Sequence, residues 1–165
     1  MDEQSIWIKN RFFFAVYIGV VAGLIWGGIK IAAYYLGFTK VIPAFLAQPF
    51  FGPDGLDSWR GHMLGWLYII IASLVASIVY ALLFHKVRGP WLGLAYGFLI
   101  WLIVYGWIGP ATGMTQSLQQ LDLDSAVTDA GLFILWGVFI GYTIAFHFAE
   151  KKVHTQGLLK RRKIW

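Results

Sequence analysis

The 165-residue sequence has no cysteine and few charged residues. The lack of cysteine excludes disulfides, thiolate zinc sites and a cysteine nucleophile. Charged residues make up 13%, against the ~25% that is usual in soluble domains. The chain also contains no HExxH motif, no glycine-rich phosphate loop and no GxSxG elbow. We therefore expect neither an enzyme nor a metal or cofactor site.

Apolar residues instead account for 59% of the chain and aromatic residues for 18%. Such a composition argues against a soluble domain, a disordered chain and a nucleic-acid-binding domain. The net charge of +5 does not change this, because the basic residues fall mostly at the ends of apolar runs. We expect no nucleic-acid partner.

Four apolar runs are long enough to cross a membrane. A span needs ~20 mostly apolar residues, and it must be helical because lipid offers no partner for bare backbone groups. The runs cover about 12–37, 63–84, 91–110 and 130–149. They predict a single all-α membrane domain, a four-helix bundle whose helices are antiparallel in sequence order. A short amphipathic helix is also expected in the polar segment after the third run, from Met114, Leu118 and Leu121.

The distribution of basic residues predicts the orientation of the bundle. Of the 13 Lys and Arg residues, ten lie in the two termini and in the turn between spans two and three, whereas Lys40 and Arg60 lie in the other loops. Basic loops stay in the cytoplasm. Both termini are thus predicted inside, with external loops 38–61 and 111–128 and a basic cytoplasmic tail 150–165. Aromatic residues such as Trp66, Tyr105 and Trp107 are expected at the outer interface.

Small residues recur at four-residue spacing along every span. In lipid, such spacing lets helix backbones approach closely. The glycines predicted to pack in this way are Gly19, Gly23, Gly27, Gly93, Gly97, Gly137 and Gly141. The spacing leaves open whether they pack within one chain or between chains.

Lys30 is a charged residue inside the first span. It lies on the face of the glycine ladder, about 9 Å outward of the span centre at ~1.5 Å per residue. One interpretation is a side chain that snorkels to the interface. The other is a buried ammonium paired with a carboxylate, because helical side chains tilt toward the N-terminus, here toward the midplane. Asp129 is the first candidate partner, followed by Asp57 and Asp54.

The second span carries polar residues on one face. These are His62, Ser73, Ser77 and Tyr80. Serines in such helices often bond to carbonyls one turn back, and a histidine at this position fits the headgroup zone. The alternative is that the stripe lines a small hydrated cavity.

A basic cluster follows the fourth span. Lys160, Arg161, Arg162 and Lys163 fit a contact with anionic lipid headgroups, worth ~1 kcal/mol per basic residue. The same cluster also fits an ordinary stop-transfer flank. The lipid bilayer is in either case the expected partner.

Several of these features together resemble a known family. The glycine ladder with Lys30, the pair Gly61–His62, the Pro90–Trp91–Leu92–Gly93 opening of span three and the basic tail resemble the YqhR-like membrane proteins of spore-forming Firmicutes. Gly23 with Lys30 and Gly61–His62 also show a fainter likeness to the YagU-like inner-membrane family, which is linked to acid resistance. The resemblance implies a bacterial plasma membrane and brings no catalytic residues.

Two functional hypotheses follow. The first is a non-catalytic accessory or assembly subunit of an envelope complex, acting as a homo-oligomer or with another membrane protein. The second is a small transporter or channel, with or without proton coupling, that uses Lys30 and the polar stripe. A packed apolar bundle favours the first hypothesis, and a wet cleft that reaches Lys30 favours the second.

Overall fold

The computed structural model describes residues 3–52, 54–84 and 90–162, with side chains over 12–52, 54–84 and 91–147. Its elements are α1 (Glu3–Tyr35), a 3₁₀ turn (Phe45–Ala47), α2 (Gln48–Phe51), α3 (Trp59–Leu83), α4 (Pro90–Ile103), a π segment (Val104–Ile108), α5 (Gly109–Thr112) and α6 (Leu123–Arg162). Four stretches are long and apolar enough to span a membrane: Phe12–Tyr35, Trp59–Leu83, Trp91–Thr112 and Leu123–His147. The predicted all-α fold with four spans is confirmed, and the described residues include no strand.

Local signals set the ends of these helices. After α1, Gly37 adopts φ 78° and its N–H donates to Tyr34, while Phe38 donates to the carbonyl of Ala33. This is a Schellman motif, which satisfies carbonyls at the helix end. Ser58 caps α3 by accepting from the N–H of Gly61 at 3.2 Å. The Schellman motif thus ends α1 and the Ser58 cap begins α3, which fixes both ends of the segment that connects them.

The bundle consists of two tightly packed helix pairs. In the pair α1–α3, a Cβ added at Gly23 would overlap the backbone of Ile70. In the pair α4–α6, a Cβ at Gly97 would overlap the backbone of Phe133. All seven glycines predicted to pack are buried, and each lies close to another helix of this one chain. A Cβ would overlap facing backbone at six of them and the side chain of Trp66 at Gly27. The close contact follows from the missing side chain, as expected between helices in lipid.

The two pairs join through contacts of α1 and α3 with α6. Aromatic side chains join α3 to α4, with the ring centroid of Tyr96 5.1 Å from that of Tyr80 and 6.0 Å from that of Phe84. The hydroxyl of Tyr96 also donates to the carbonyl of Ala76 at 2.8 Å. The turn between α3 and α4, residues 85–89, lies outside the described residues.

The segments 36–58 and 113–122 fold over one end of the bundle, which we call the capped end. Ala44, Ala47 and Leu56 are buried there in a small apolar cluster. A Cβ at Gly65 of α3 would overlap Ala44, so this segment packs directly on the helix. The first predicted external loop is therefore a folded cap that packs on the bundle.

Some predicted boundaries differ from the structure. The third helix starts at Trp59 and the sixth at Leu123, so the segments predicted as loops 38–61 and 111–128 are shorter. The basic tail predicted over 150–165 continues α6 as far as Arg162. The amphipathic helix expected from Met114 is wrong: residues 113–122 form turns, and Met114, Leu118 and Leu121 pack around buried Tyr105 instead.

Candidate functional site

A buried ion pair joins the first and last spans. Lys30 Nζ on α1 lies 2.5 Å from Asp129 Oδ1 on α6. Lys30 is 5% exposed and Asp129 is 1% exposed. The partner ranked first from the sequence is therefore the one in contact, and Lys30 does not snorkel. A buried charge pair needs further hydrogen bonds to offset its lost hydration.

Two hydroxyl groups supply those hydrogen bonds. Tyr105 donates to Asp129 Oδ2 at 2.7 Å, and Thr39 donates to the same oxygen at 3.1 Å. Thr39 Oγ1 also accepts from Lys30 at 3.4 Å and from the backbone N–H of Val41 at 3.2 Å. The carboxylate thus accepts from three side chains. We call Lys30, Thr39, Tyr105 and Asp129 the ion-pair network.

Each member of the network comes from a different element. Lys30 follows Gly23 by two helical turns and therefore shares its face. Thr39 is placed by the Schellman motif after α1, and Tyr105 sits in the π segment, a register change that is common at functional sites. The ring of Phe45 in the 3₁₀ turn lies 5.7 Å from Lys30 Nζ, within cation–π range. The network therefore ties the cap to the spans.

Sequence reasoning missed two of these residues. Thr39 was not singled out, and Tyr105, expected at the interface, is fully buried. Tyr105 contacts Asp129 from within the π segment, which hydropathy does not reveal. The signal that was available for Thr39 was its position two residues after Gly37, a typical helix-end glycine.

The polar stripe on α3 does not form one site. His62 is 2% exposed at the capped end, where its Nδ1 lies 2.9 Å from the hydroxyl of Tyr35. Its Nε2 lies 3.3 Å from Asp57, which also accepts from Tyr34 at 2.7 Å. Asp57, a lower-ranked candidate partner of Lys30, thus belongs to this separate cluster.

The other stripe residues link helices. Ser73 accepts from Trp136 Nε1 at 3.0 Å, joining α3 to α6, and Ser77 donates to the carbonyl of Ala15 at 2.5 Å, joining α3 to α1. The hydroxyl of Tyr80 is buried without a hydrogen-bond partner. The serines hold the bundle together rather than line water.

A cleft of about 440 Å³ lies between α3 and α4, next to the ion-pair network. Its polar lining groups include Lys30, Asp129 and Ser73, which have partners within the chain. Trp26 also lines it, and its indole N–H is buried without a hydrogen-bond partner. The rest of its wall is apolar or aromatic. A cleft therefore does reach Lys30, but its surface is apolar rather than wet.

A second, more exposed polar group lies at the start of α6. Asp122 accepts from the hydroxyl and the backbone N–H of Ser125, at 3.0 and 3.2 Å, and lies 3.7 Å from Lys40 Nζ. Desolvation raises the pKa of Asp122, but these hydrogen bonds and the charge of Lys40 outweigh it and hold the pKa below 3.8. Asp122 acts as a helix cap.

Among the side chains that the structure describes, no three His, Asp or Glu residues lie close enough to share a metal ion. The cluster Lys160, Arg161, Arg162 and Lys163, predicted to contact lipid headgroups, lies outside the residues whose side chains are described.

Comparison with known proteins identifies relatives without an assigned activity. The model of the family described as "Conserved membrane protein YqhR" matches residues 3–158. An uncharacterised protein YqhR of Bacillus subtilis (strain 168) is 30% identical over 136 residues, which cover 80% of this chain and 74% of that relative. No solved structure matches the chain.

Proposed function

The chain belongs to the YqhR family of conserved membrane proteins, and from that premise we propose that it is a non-catalytic accessory or assembly subunit of an envelope complex in the bacterial plasma membrane. We further propose that both termini are cytoplasmic and that the capped end faces outward. The ten basic residues in the termini and the α3–α4 turn support this orientation.

The observation that carries the proposal is the internal pairing of the ion-pair network. Asp129 and Thr39 use their hydrogen-bonding groups on each other, on Lys30 and on Tyr105. A site that binds a polar solute keeps groups free to replace the solute's hydration. Here the charged groups inside the membrane instead fix the cap on the spans, which is a structural task.

The capped end carries the surface that such a role requires. Several large aromatic side chains project from it, namely Tyr35, Phe50, Phe51 and Trp59, each more than half exposed. Phe50 and Phe51 belong to the four-residue helix α2 and not to a spanning helix. Exposed apolar patches mark interaction sites on proteins. We infer that the network holds this surface rigid for a protein partner.

The test is site-specific photo-crosslinking in native membranes. A photoreactive phenylalanine analogue replaces Phe50 at the capped end and, as a matched control, Phe98, which is 42% exposed on α4. We expect a discrete adduct with another envelope protein at position 50 and none at position 98. Migration of the chain as a monomer in mild detergent, with no protein adduct at position 50, would contradict the proposal.

The second candidate is the proton-linked transporter or channel. It is favoured by one observation, that Lys30 and Asp129 both line the cleft between α3 and α4. Against it stands the apolar wall, since an ion that enters loses hydration without receiving new partners. Proteoliposomes that contain a pH-sensitive dye separate the two hypotheses. The accessory role predicts equal proton leak for the wild type and for Lys30→Met, whereas a leak that Lys30→Met abolishes would favour transport.

A further inference from the structure

We propose that the cleft between α3 and α4 binds one acyl chain of a membrane phospholipid, which enters sideways from the bilayer. The cleft exists because the chain packs as two pairs, α1 with α3 and α4 with α6, whose glycines draw each pair together. No comparable glycine contact joins α3 to α4 among the described residues.

The ends of the cleft are closed by side chains. At the capped end, Phe45 and Leu46 of the cap lie over it. At the other end, Tyr96 crosses from α4 and donates to the carbonyl of Ala76 on α3. The lining on α3 runs from Ile69 to Val79, about 15 Å at ~1.5 Å per residue. This length is close to one leaflet, half of the ~30 Å hydrocarbon core.

The open side of the cleft faces hydrocarbon. Val75 is 54% exposed and Val79 is 38% exposed, and Ala72 is exposed beside them. All three line the cleft and lie in the central part of the spanning helix α3. The medium next to the middle of a spanning helix is lipid acyl chain, so the entrance is lateral and dry.

The chemistry of the wall selects a hydrocarbon guest. Ser73 is already bonded to Trp136, and Lys30 and Asp129 are bonded to each other. The unpaired donor that remains in the wall is the indole N–H of Trp26, so a water molecule in the cleft would find fewer than the 2–4 partners it needs, whereas dry apolar cavities bind apolar guests. None of the lining cations is free to hold a phosphate, so the lipid headgroup stays outside the cleft.

The size of the cleft also fits such a guest. Its volume of about 440 Å³ lies within the ~300–1,000 Å³ of small-ligand pockets. A pocket of this size suits a slender guest such as a single hydrocarbon chain.

The experiment uses the purified full chain in vesicles of phosphatidylglycerol and phosphatidylethanolamine. The vesicles contain a phosphatidylcholine with a diazirine midway along one acyl chain, and adducts are mapped by mass spectrometry after irradiation. We expect adducts to concentrate on Ala72, Val75 and Ala76 rather than on Leu67 and Ile71, which are each 51% exposed on α3 but do not line the cleft.

A filling variant and a matched control complete the test. Ala72→Trp should lose most of the adducts in the cleft, whereas Ala32→Trp, at an exposed position of α1 outside the cleft, should keep them. If Ala72→Trp fails to fold by circular dichroism, Val75→Trp replaces it. Adducts spread evenly over exposed residues would show annular lipid only and overturn the proposal. Adducts in the cleft from a diazirine fatty acid but not from the phospholipid would overturn the assigned source.

Discussion

Replacing Gly23 by alanine is a minimal perturbation of the α1–α3 contact. The added Cβ would overlap Cα of Ile70, a backbone atom that moves only if the two helices separate. Gly28 offers a matched control on the same helix, because a Cβ there meets only Trp66, at an ordinary 3.8 Å. The two substitutions differ in what the new methyl group touches and in little else.

The difference in unfolding free energy follows from two terms. Alanine is favoured over glycine in a helix interior by up to ~1 kcal/mol, and this gain is common to both variants. Extra atoms forced into a packed contact cost ~1–3 kcal/mol. We therefore expect Gly28→Ala to be neutral or stabilising and Gly23→Ala to lie about 1–3 kcal/mol below it.

Unfolding in mixed micelles, followed by circular dichroism with both variants in one detergent, measures this difference. Equal stability of Gly23→Ala and Gly28→Ala would refute the reasoning, since it would show that the glycine ladder is not in close contact. A loss in both variants would instead indicate that α1 tolerates no added methyl group on either face, which contradicts the open space at Gly28.

Three further predictions concern the orientation and the capped end. A cysteine introduced at Asp54 should react with a membrane-impermeant maleimide in intact cells, and one at Arg88 only after permeabilisation; the reverse would contradict the orientation. The pKa of Asp122 is lowered in the folded state from its ordinary value of 3.8. The ionised carboxylate therefore stabilises the fold above pH 3.8, and this stabilisation is lost as the pH falls through the folded pKa. Acid melts of the wild type should therefore show a loss that Asp122→Asn, which already lacks the charge, does not show. Tyr105→Phe removes a hydrogen bond to a buried carboxylate and should cost about 1.5–3 kcal/mol in unfolding free energy, whereas the same change at exposed Tyr142 should cost almost nothing.

The sequence was sufficient for the features that depend on regular helical geometry. The spans follow from hydropathy. The position of Lys30 on the glycine face of the first span follows from its two-turn spacing to Gly23. The choice of Asp129 follows from its position at the outer end of the fourth run. These inferences hold because a helix in lipid has few alternatives to its regular form.

The features that the sequence did not reveal depend on irregular backbone. The π segment Val104–Ile108 changes the register of the third span and buries Tyr105, and no hydropathy pattern marks it. The apolar run of the cap is too short to span and is broken by Pro43 and Pro49, which predicts that it lies in the outer interface or tucks between helix ends. Its docking on Gly65 depends on tertiary contacts that become visible only once α1 and α3 are placed. The cleft likewise results from how two helix pairs diverge, which spacing within one helix does not encode.

The central claim is that Lys30 and Asp129 form a structural tie between the first and last spans. A double-mutant cycle with Lys30→Met, Asp129→Asn and the double variant, measured as unfolding free energy in one detergent, tests it most directly. Each single change leaves an unpaired buried group and should cost ~3–5 kcal/mol, whereas the double change should cost clearly less than the sum of the two. Additivity within ~0.5 kcal/mol would contradict the claim, because it would show that the two residues do not interact.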